Sequence, residues 1–494
     1  MSKPHVRIVA GLSALIVLLA VGVVLAWPEA RTALFQGGAI VPQQSPSVQE
    51  QPATTVGKPY GDKVKGVFTF RGNPTRTYYG TGPIPRTAPE ILWRYPKSGG
   101  MCAVSSDADG PREWCGTGWT GQPAVFERDG RTWVVFGAYD TSIHFLDAAT
   151  GERILPSFKT GDIIKGSVTI DPDGYPLVYS GSRDNYYRVI AIDGDRPREL
   201  WKLHAKAVSP TMWNDDWDAS GLIVDDYLFE GGENSQFHIV KLNRGYDANG
   251  KVTVDPKLVF NAPAWDAELL RDIGDNNVSV ESSPTLVGNV VYFATSGGLV
   301  QGWDISGLKE GKTPQRVFRF WTGDDTDGTI AADEAGMLYI GSEYERFTQA
   351  SKRNGQMMKL DPRKPDSPLV WKVDDQNNRG GKGGIYGSAG IYKDLVIWGT
   401  DKGDVLGIDR QSGQVRWRVA MHRVHMSPVI IDGVMVVGDC DGELAAYDIT
   451  DTKAEPKRLW SIKPGACIES TPAVWNGKLY FGTRAGALLA IGVR

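Results

Sequence analysis

The sequence predicts an all-β protein: an eight-bladed β-propeller of four-stranded antiparallel blades, closed by an N-terminal strand and preceded by one N-terminal transmembrane helix. Two observations carry the propeller. The first is an internal repeat. From Tyr386 to Asp448 the chain nearly duplicates itself at an offset of 39 residues. Ser388 and Ser427 each open an apolar run, a turn follows (Lys393-Asp394, Asp432-Gly433), and a second run ends at Gly399 or Gly438. An acidic glycine turn leads to a third run ending at Asp409 or Asp448. A period of roughly 20–50 residues signals a repeat architecture. The second observation is the number and texture of the copies. The frame recurs from Gln122, Gly166, Ala219, Ser283, Gly328 and Thr471, which makes eight copies. Each holds three short β-branched and aromatic runs parted by turn residues, as an antiparallel meander does. Four-strand units repeated radially make a propeller.

The fourth strand of each unit follows the aspartate and often carries a tryptophan, as at Trp201, Trp371, Trp417 and Trp460. The eighth copy lacks it, because the chain reaches Arg494 first. The run Ile91-Leu92-Trp93-Arg94-Tyr95 has the same pattern as Arg458 to Ile462. It is expected to pair with the last copy and remove its free edge, since an unpaired edge strand invites aggregation.

The segments before the propeller follow in order. Residues 1–7 carry Lys3 and Arg7 and are expected in the cytoplasm. Residues 8–27 form an uncharged, mostly apolar run of 20. A cleaved signal peptide would end at Val24-Leu25-Ala26. The length favours a retained signal anchor, because about 20 apolar residues span a bilayer and signal cores usually run about 7–15. The propeller would then lie in the periplasm or extracellular space, single-pass anchored to the cell membrane. Residues 28–65, rich in Gln, Pro, Ser, Thr and Gly, read as a flexible linker. Residues 66–90 are a lead-in, and 91–494 the propeller. A formal net charge of −4 leaves no electrostatic footprint for nucleic acid, and a monomer is expected.

The lead-in carries Phe68-Thr69-Phe70-Arg71-Gly72-Asn73-Pro74 ahead of Ile91-Leu92-Trp93-Arg94. Asp409 reaches Trp417 through a glycine turn, and Asp193 reaches Trp201 at the same spacing of eight; Asp361 to Trp371 takes ten and Asp448 to Trp460 twelve. In these features the chain resembles the PQQ-like repeat (quinoprotein-like) propellers, and in repeat type their non-catalytic outer-membrane-assembly members. The resemblance implies that Trp93, Trp201, Trp371, Trp417 and Trp460 dock blade against blade, each indole N–H on a backbone carbonyl. It implies fold more than function, since the family holds both dehydrogenases and scaffolds.

Four cysteines outside the cytoplasm suggest disulfides. The frame puts Cys102 and Cys115 in one loop, and Cys440 and Cys467 in loops on one face, so these two pairs are expected; the alternative is free buried thiols. The same face gathers the candidate ligand or partner site: Tyr139, Asp140, Arg183, Asp184, Asp218, Glu233, Glu281, Tyr386, Asp401, His425, Glu469 and Arg484. An ordinary solvated rim is the plainer reading of this mixed-charge ring. Trp217-Asp218 is similar to the tryptophan–aspartate segment of quinoprotein alcohol dehydrogenases, which would make Asp218 a catalytic base working with PQQ and calcium. No two cysteines are adjacent here, and no counterpart of that family's Glu and Asn ligands stands out. Asp325-x-Asp327-Gly328 imitates a calcium loop whose first position is Gly323. His422 and His425 lack a third ligand for copper. The reading is therefore a membrane-anchored, non-catalytic scaffold or partner-binding module with no cofactor or metal. The alternative is a PQQ-dependent dehydrogenase of alcohols or sugars.

Overall fold

Antiparallel meanders account for nearly all of the secondary structure. The computed structural model describes residues 55–107, 110–118, 121–375 and 381–494. The expected cytoplasmic terminus, the signal anchor at 8–27 and most of the linker lie outside the described residues. Among the described residues no helix is long and apolar enough to cross a membrane.

Seven four-stranded sheets and one five-stranded sheet form eight blades. From inner to outer strand, blade 1 runs from Ala124–Arg128 to Arg153–Lys159, blade 2 from Thr169–Ile170 to Arg198–His204, blade 3 from Leu222–Val224 to Lys257–Pro263, and blade 4 from Thr285–Val287 to Gln315–Trp321. Blade 5 runs from Ala331–Ala332 to Leu369–Val373, blade 6 from Gly390–Tyr392 to Val415–Ala420, and blade 7 from Val429–Ile431 to Lys457–Ile462. Blade 8 holds Ala473–Trp475, Lys478–Thr483 and Ala487–Gly492, and takes its outer strand, Glu90–Tyr95, from the other end of the propeller. The expected closure thus occurs, with Trp93 opposite Ala490. The turns leaving the inner strands are chemically fixed. Asp432-Gly433 and Asn476-Gly477 hold both residues at positive φ, the two-residue hairpin turn whose twist matches the strands it joins.

The segment before the closing strand departs from expectation. It is no approach to the propeller but part of it. Gly66–Val67 pairs with Val125 and Phe126 as a fifth strand of blade 1. From residue 55 the linker is already packed: Tyr60 is buried and its hydroxyl exchanges hydrogen bonds with the backbone of Ile223. Residues 55–81 line the channel along the inner strands, up to the level where those strands open. Phe68, Pro74 and Thr75 accept from the backbone N–H groups of Ile170, Leu286 and Ala332, and Thr81 donates to Val474. The physical reason is that innermost strands leave backbone groups unpaired, and buried ones must find partners.

Three docking tryptophans donate to a carbonyl outside their own strand: Trp93 to Ala148 (2.9 Å), Trp371 to Arg410 (3.0 Å) and Trp460 to Pro85 (2.7 Å). Trp417 is equally buried, yet its N–H has no acceptor among the described residues. Trp201 is half-buried. Disulfides join Cys102 to Cys115 and Cys440 to Cys467. The first closes the base of a hairpin, Cys102–Asp107 with Gly110–Cys115.

Candidate functional site

Each blade presents two connections at the end of the channel opposite the inner-strand turns: the segment entering its first strand and the turn between its second and third. Hydrogen bonds from Arg71 and Arg76 reach the carbonyls of Ala389, Pro428, Pro284 and Ser220, which open inner strands. Above that level the connections of all eight blades supply the side chains.

Their centre is acidic and buried. Asp218, from the entry to blade 3, is fully buried and pairs with Lys165, from the entry to blade 2. The same Lys165 Nζ lies 3.4 Å from Glu233, in the turn of blade 3. Asp218, Glu233 and Glu281 each bring an oxygen within 4.8 Å of the others, and Asp325, Asp327 and Glu343 do so as a second triad. Hard cations take such oxygen sets, but the protein supplies its own: Lys165 serves the first, and Arg346 stands 3.9 Å from Asp325 in the second. Glu281 is pushed up to about 8 by burial and then by the charge of Asp327. Asp216, held by Arg183 Nε at 2.5 Å, rises to about 6 through burial and the charge of Asp218. Burial lifts Glu233, Asp325, Asp327 and Glu343 as well. For Lys165 burial alone would lower the pKa, and the charge of Asp218 reverses that. Such a well can attract a cationic group or redistribute protons near neutral pH.

A second group lies over blades 6 to 8. His425 Nε2 meets Asp401 Oδ1 at 2.8 Å, Arg423 donates to the same oxygen, and the His425 ring stacks on Tyr386 at 4.3 Å. Tyr386 donates to Glu345, not to Asp401. Glu469 stands 3.9 Å from Arg484 Nε. Arg484 in turn lies over Tyr139, which is buried rather than displayed.

Two expected site residues do not belong. Asp140 accepts from His144 at 3.0 Å, within its own blade. Asp184 takes Arg188 and the backbone N–H of Gly161. Each is the second residue of its turn, so it faces back along its own blade. Glu343, Asp216, Arg346 and Trp114 were missing from the expected set. Glu343 was findable: it follows Gly341 just as Asp401 follows Gly399, two residues past the glycine ending a second strand. An inserted helix, Gln349–Asn354, obscures the turn.

Residues 353–494 match the model of the PQQ_2 family, described as outer membrane protein assembly factor BamB. The repeats are PQQ-like. The chain is 28% identical over 162 residues to the outer membrane protein assembly factor BamB of Nitrosomonas eutropha, covering 32% of this chain and 34% of that protein. It is 27% identical over 115 residues to the quinoprotein alcohol dehydrogenase PedH of Pseudomonas putida, covering 22% and 18%. The matches therefore span only about a third and a fifth of these relatives' own lengths. Among solved structures the chain is similar to Sqt1 of Saccharomyces cerevisiae, with a TM-score of 0.53 at 11% identity over 73% of this chain and 93% of that one; this is a likeness of fold.

PQQ-like repeats raise the question of a quinone, and the residues present do not fit one. Trp217 is fully buried, with Tyr187 at 5.6 Å and His238 at 5.0 Å. Asn214 is bonded to Glu233, and neither disulfide joins adjacent residues.

Proposed function

We propose that this chain is a non-catalytic scaffold that holds a protein partner on its loop face. It acts as a monomer, tethered to the membrane by the apolar run at 8–27 and exposed outside the cytoplasm, without quinone or metal. The observation that carries the reading is the difference between the channel's interior and its mouth. The chain's own lead-in occupies the interior, whereas all eight blades send charged or aromatic side chains to the mouth. The match of the C-terminal repeats to an outer membrane protein assembly factor supports a role of that kind.

The experiment places a photo-crosslinking amino acid at His425 or Glu469 in the native host. A defined envelope protein should be captured at both sites, and its capture at His425 should be lost in a Glu281→Gln, Glu469→Gln background. Labelling only from sites on the inner-strand turns, such as Asn289, would sink the proposal. So would dye-linked alcohol or sugar oxidation on adding PQQ and calcium to the purified chain.

A further inference from the structure

Three guanidinium groups gather on one indole beneath the disulfide-closed hairpin. The guanidinium carbons of Arg112, Arg484 and Arg183 lie 4.0, 5.3 and 5.7 Å from the centre of the Trp114 ring. Tyr139 meets that ring edge-on at 5.5 Å, and Arg484 lies over Tyr139 at 4.8 Å. The cations come from three places in the ring: Arg183 from the turn of blade 2, Arg484 from the turn of blade 8, and Arg112 from the hairpin itself.

Their partners are incomplete. Asp216 takes Arg183 through Nε, and Glu469 approaches Arg484 only at Nε. Arg183 Nη1 and Arg484 Nη1 are both shielded from solvent and donate to no acceptor among the described residues. The Arg183 side chain is 9% exposed. A buried charged donor left unpaired is costly, and native proteins rarely keep one without a reason. Here two converge on one ring. The hydroxyls of Thr117 and Thr483, at the seam of blades 1 and 8, are likewise buried without a partner.

We propose that Arg183 and Arg484, roofed by Trp114 and Tyr139, form a binding subsite for a carboxylate. A guanidinium presents two parallel N–H groups in a plane, which matches the two oxygens of a carboxylate. The flanking rings keep water from competing. Asp216, with Asp218 and Glu233 behind it, offsets the charge of Arg183, and Glu469 stands near Arg484, so the subsite favours a singly charged group over a doubly charged phosphate. The carboxylate belongs either to a free organic acid or to an acidic side chain of a partner. The subsite stands on its own geometry and does not depend on the scaffold reading. The hairpin that carries Trp114 is fastened at its base by its disulfide and by Met101 N–H to Gly486 and Gly116 N–H to Met101.

The test uses the full chain labelled with 5-fluorotryptophan, with the Trp114 fluorine resonance assigned by Trp114→Phe. The probes are N-acetylglutamate α-amide, a glutamate-rich dodecapeptide, N-acetylglutamine α-amide and inorganic phosphate at matched ionic strength. N-acetylglutamate α-amide, which carries one carboxylate, or the peptide should shift the Trp114 resonance saturably, and the uncharged glutamine amide and phosphate should not. Binding of the free acid as tightly as the peptide identifies a small-molecule site, and binding of the peptide alone identifies a partner's side chain. Arg183→Gln and Arg484→Gln should each weaken binding by about tenfold or more. Arg183→Lys, which keeps the charge and the link to Asp216 but loses the fork, should weaken it too, and it serves if a glutamine variant melts early. No binding by either carboxylate, equal binding of phosphate, or undiminished binding in folded variants overturns the proposal. The crosslinking result at His425 and Glu469 is independent of all three.

Discussion

Inside the channel, where the inner strands open, Arg71 and Arg76 are wholly buried, and each guanidinium nitrogen finds an acceptor: Arg71 on Arg76, Pro428 and Ala389, Arg76 on Pro284, Ser220, Phe70 and Thr69. Above them, at the channel's mouth, two carboxylate triads share few cations, and two arginines keep an unmatched nitrogen. Both levels bury charge, which costs free energy unless hydrogen bonds replace the lost water. The two inner guanidinium groups are fully matched and read as structure. The mouth is undercompensated, and perturbed, undercompensated groups cluster where proteins bind or react.

The sharpest way to break this contrast is Arg76→Met. It strands the carbonyls of Pro284, Ser220 and Phe70, each a buried acceptor costing about 1–3 kcal/mol when unpaired, so stability should fall by about 3–5 kcal/mol in urea unfolding. A loss under about 1 kcal/mol would show the lead-in to be a passenger rather than a strut. Lys165→Met should come next, at about 3 kcal/mol near neutral pH, because it leaves Asp218 and Glu233 buried without their cation. That loss should shrink in acid, as the stranded carboxylates take up protons. A pH-independent loss would mean that packing, not charge, explains the lysine.

The contrast also marks what a reader of the sequence can and cannot see. The blades were legible because a 39-residue offset, Asp-Gly turns and strand-ending aspartates recur on the surface of the text. The closing strand was legible because the last copy lacks one. The lead-in's place in the channel was not. Arg71 and Arg76 within FRGNPTR look like loop residues, since arginine is rarely fully buried, and nothing local announces carbonyls some 140 to 360 residues away in the chain. The loop face was half legible. The frame found Asp218, Glu233 and Glu281 because it says which residue enters each strand. It could not say which way a turn residue points, and so it took in Asp140 and Asp184, whose charges are spent inside their own blades.

Glu281 sharpens the acidic end. Its pKa rises from 4.5 to about 8 on folding, through burial and then Asp327. A carboxyl raised on folding favours the native state below its unfolded pKa, and that contribution is lost as pH climbs through the folded value. Stability should therefore fall between about pH 5 and pH 8, and Glu281→Gln should flatten the fall by on the order of 2 kcal/mol. Melting curves across that range decide it. An unchanged slope in the variant would assign the dependence to other members of the two triads.

The smallest expected effect is the most diagnostic. Arg484 is an arginine beneath a tryptophan, half-buried like many structural residues, yet one nitrogen is unmatched among the described residues and its ion-pair partner Glu469 stands 3.9 Å away. Ion pairs this loose contribute about 0–1 kcal/mol, so Arg484→Gln should cost less than about 1 kcal/mol in urea unfolding. The same residue type would then matter several-fold more in the lead-in than at the loop face, although both are drawn from one chain and face one channel. If Arg484→Gln instead matched Arg76→Met, its unmatched nitrogen would have to be engaged in the native state. The division of the channel into a structural interior and a binding mouth would then lose its clearest marker.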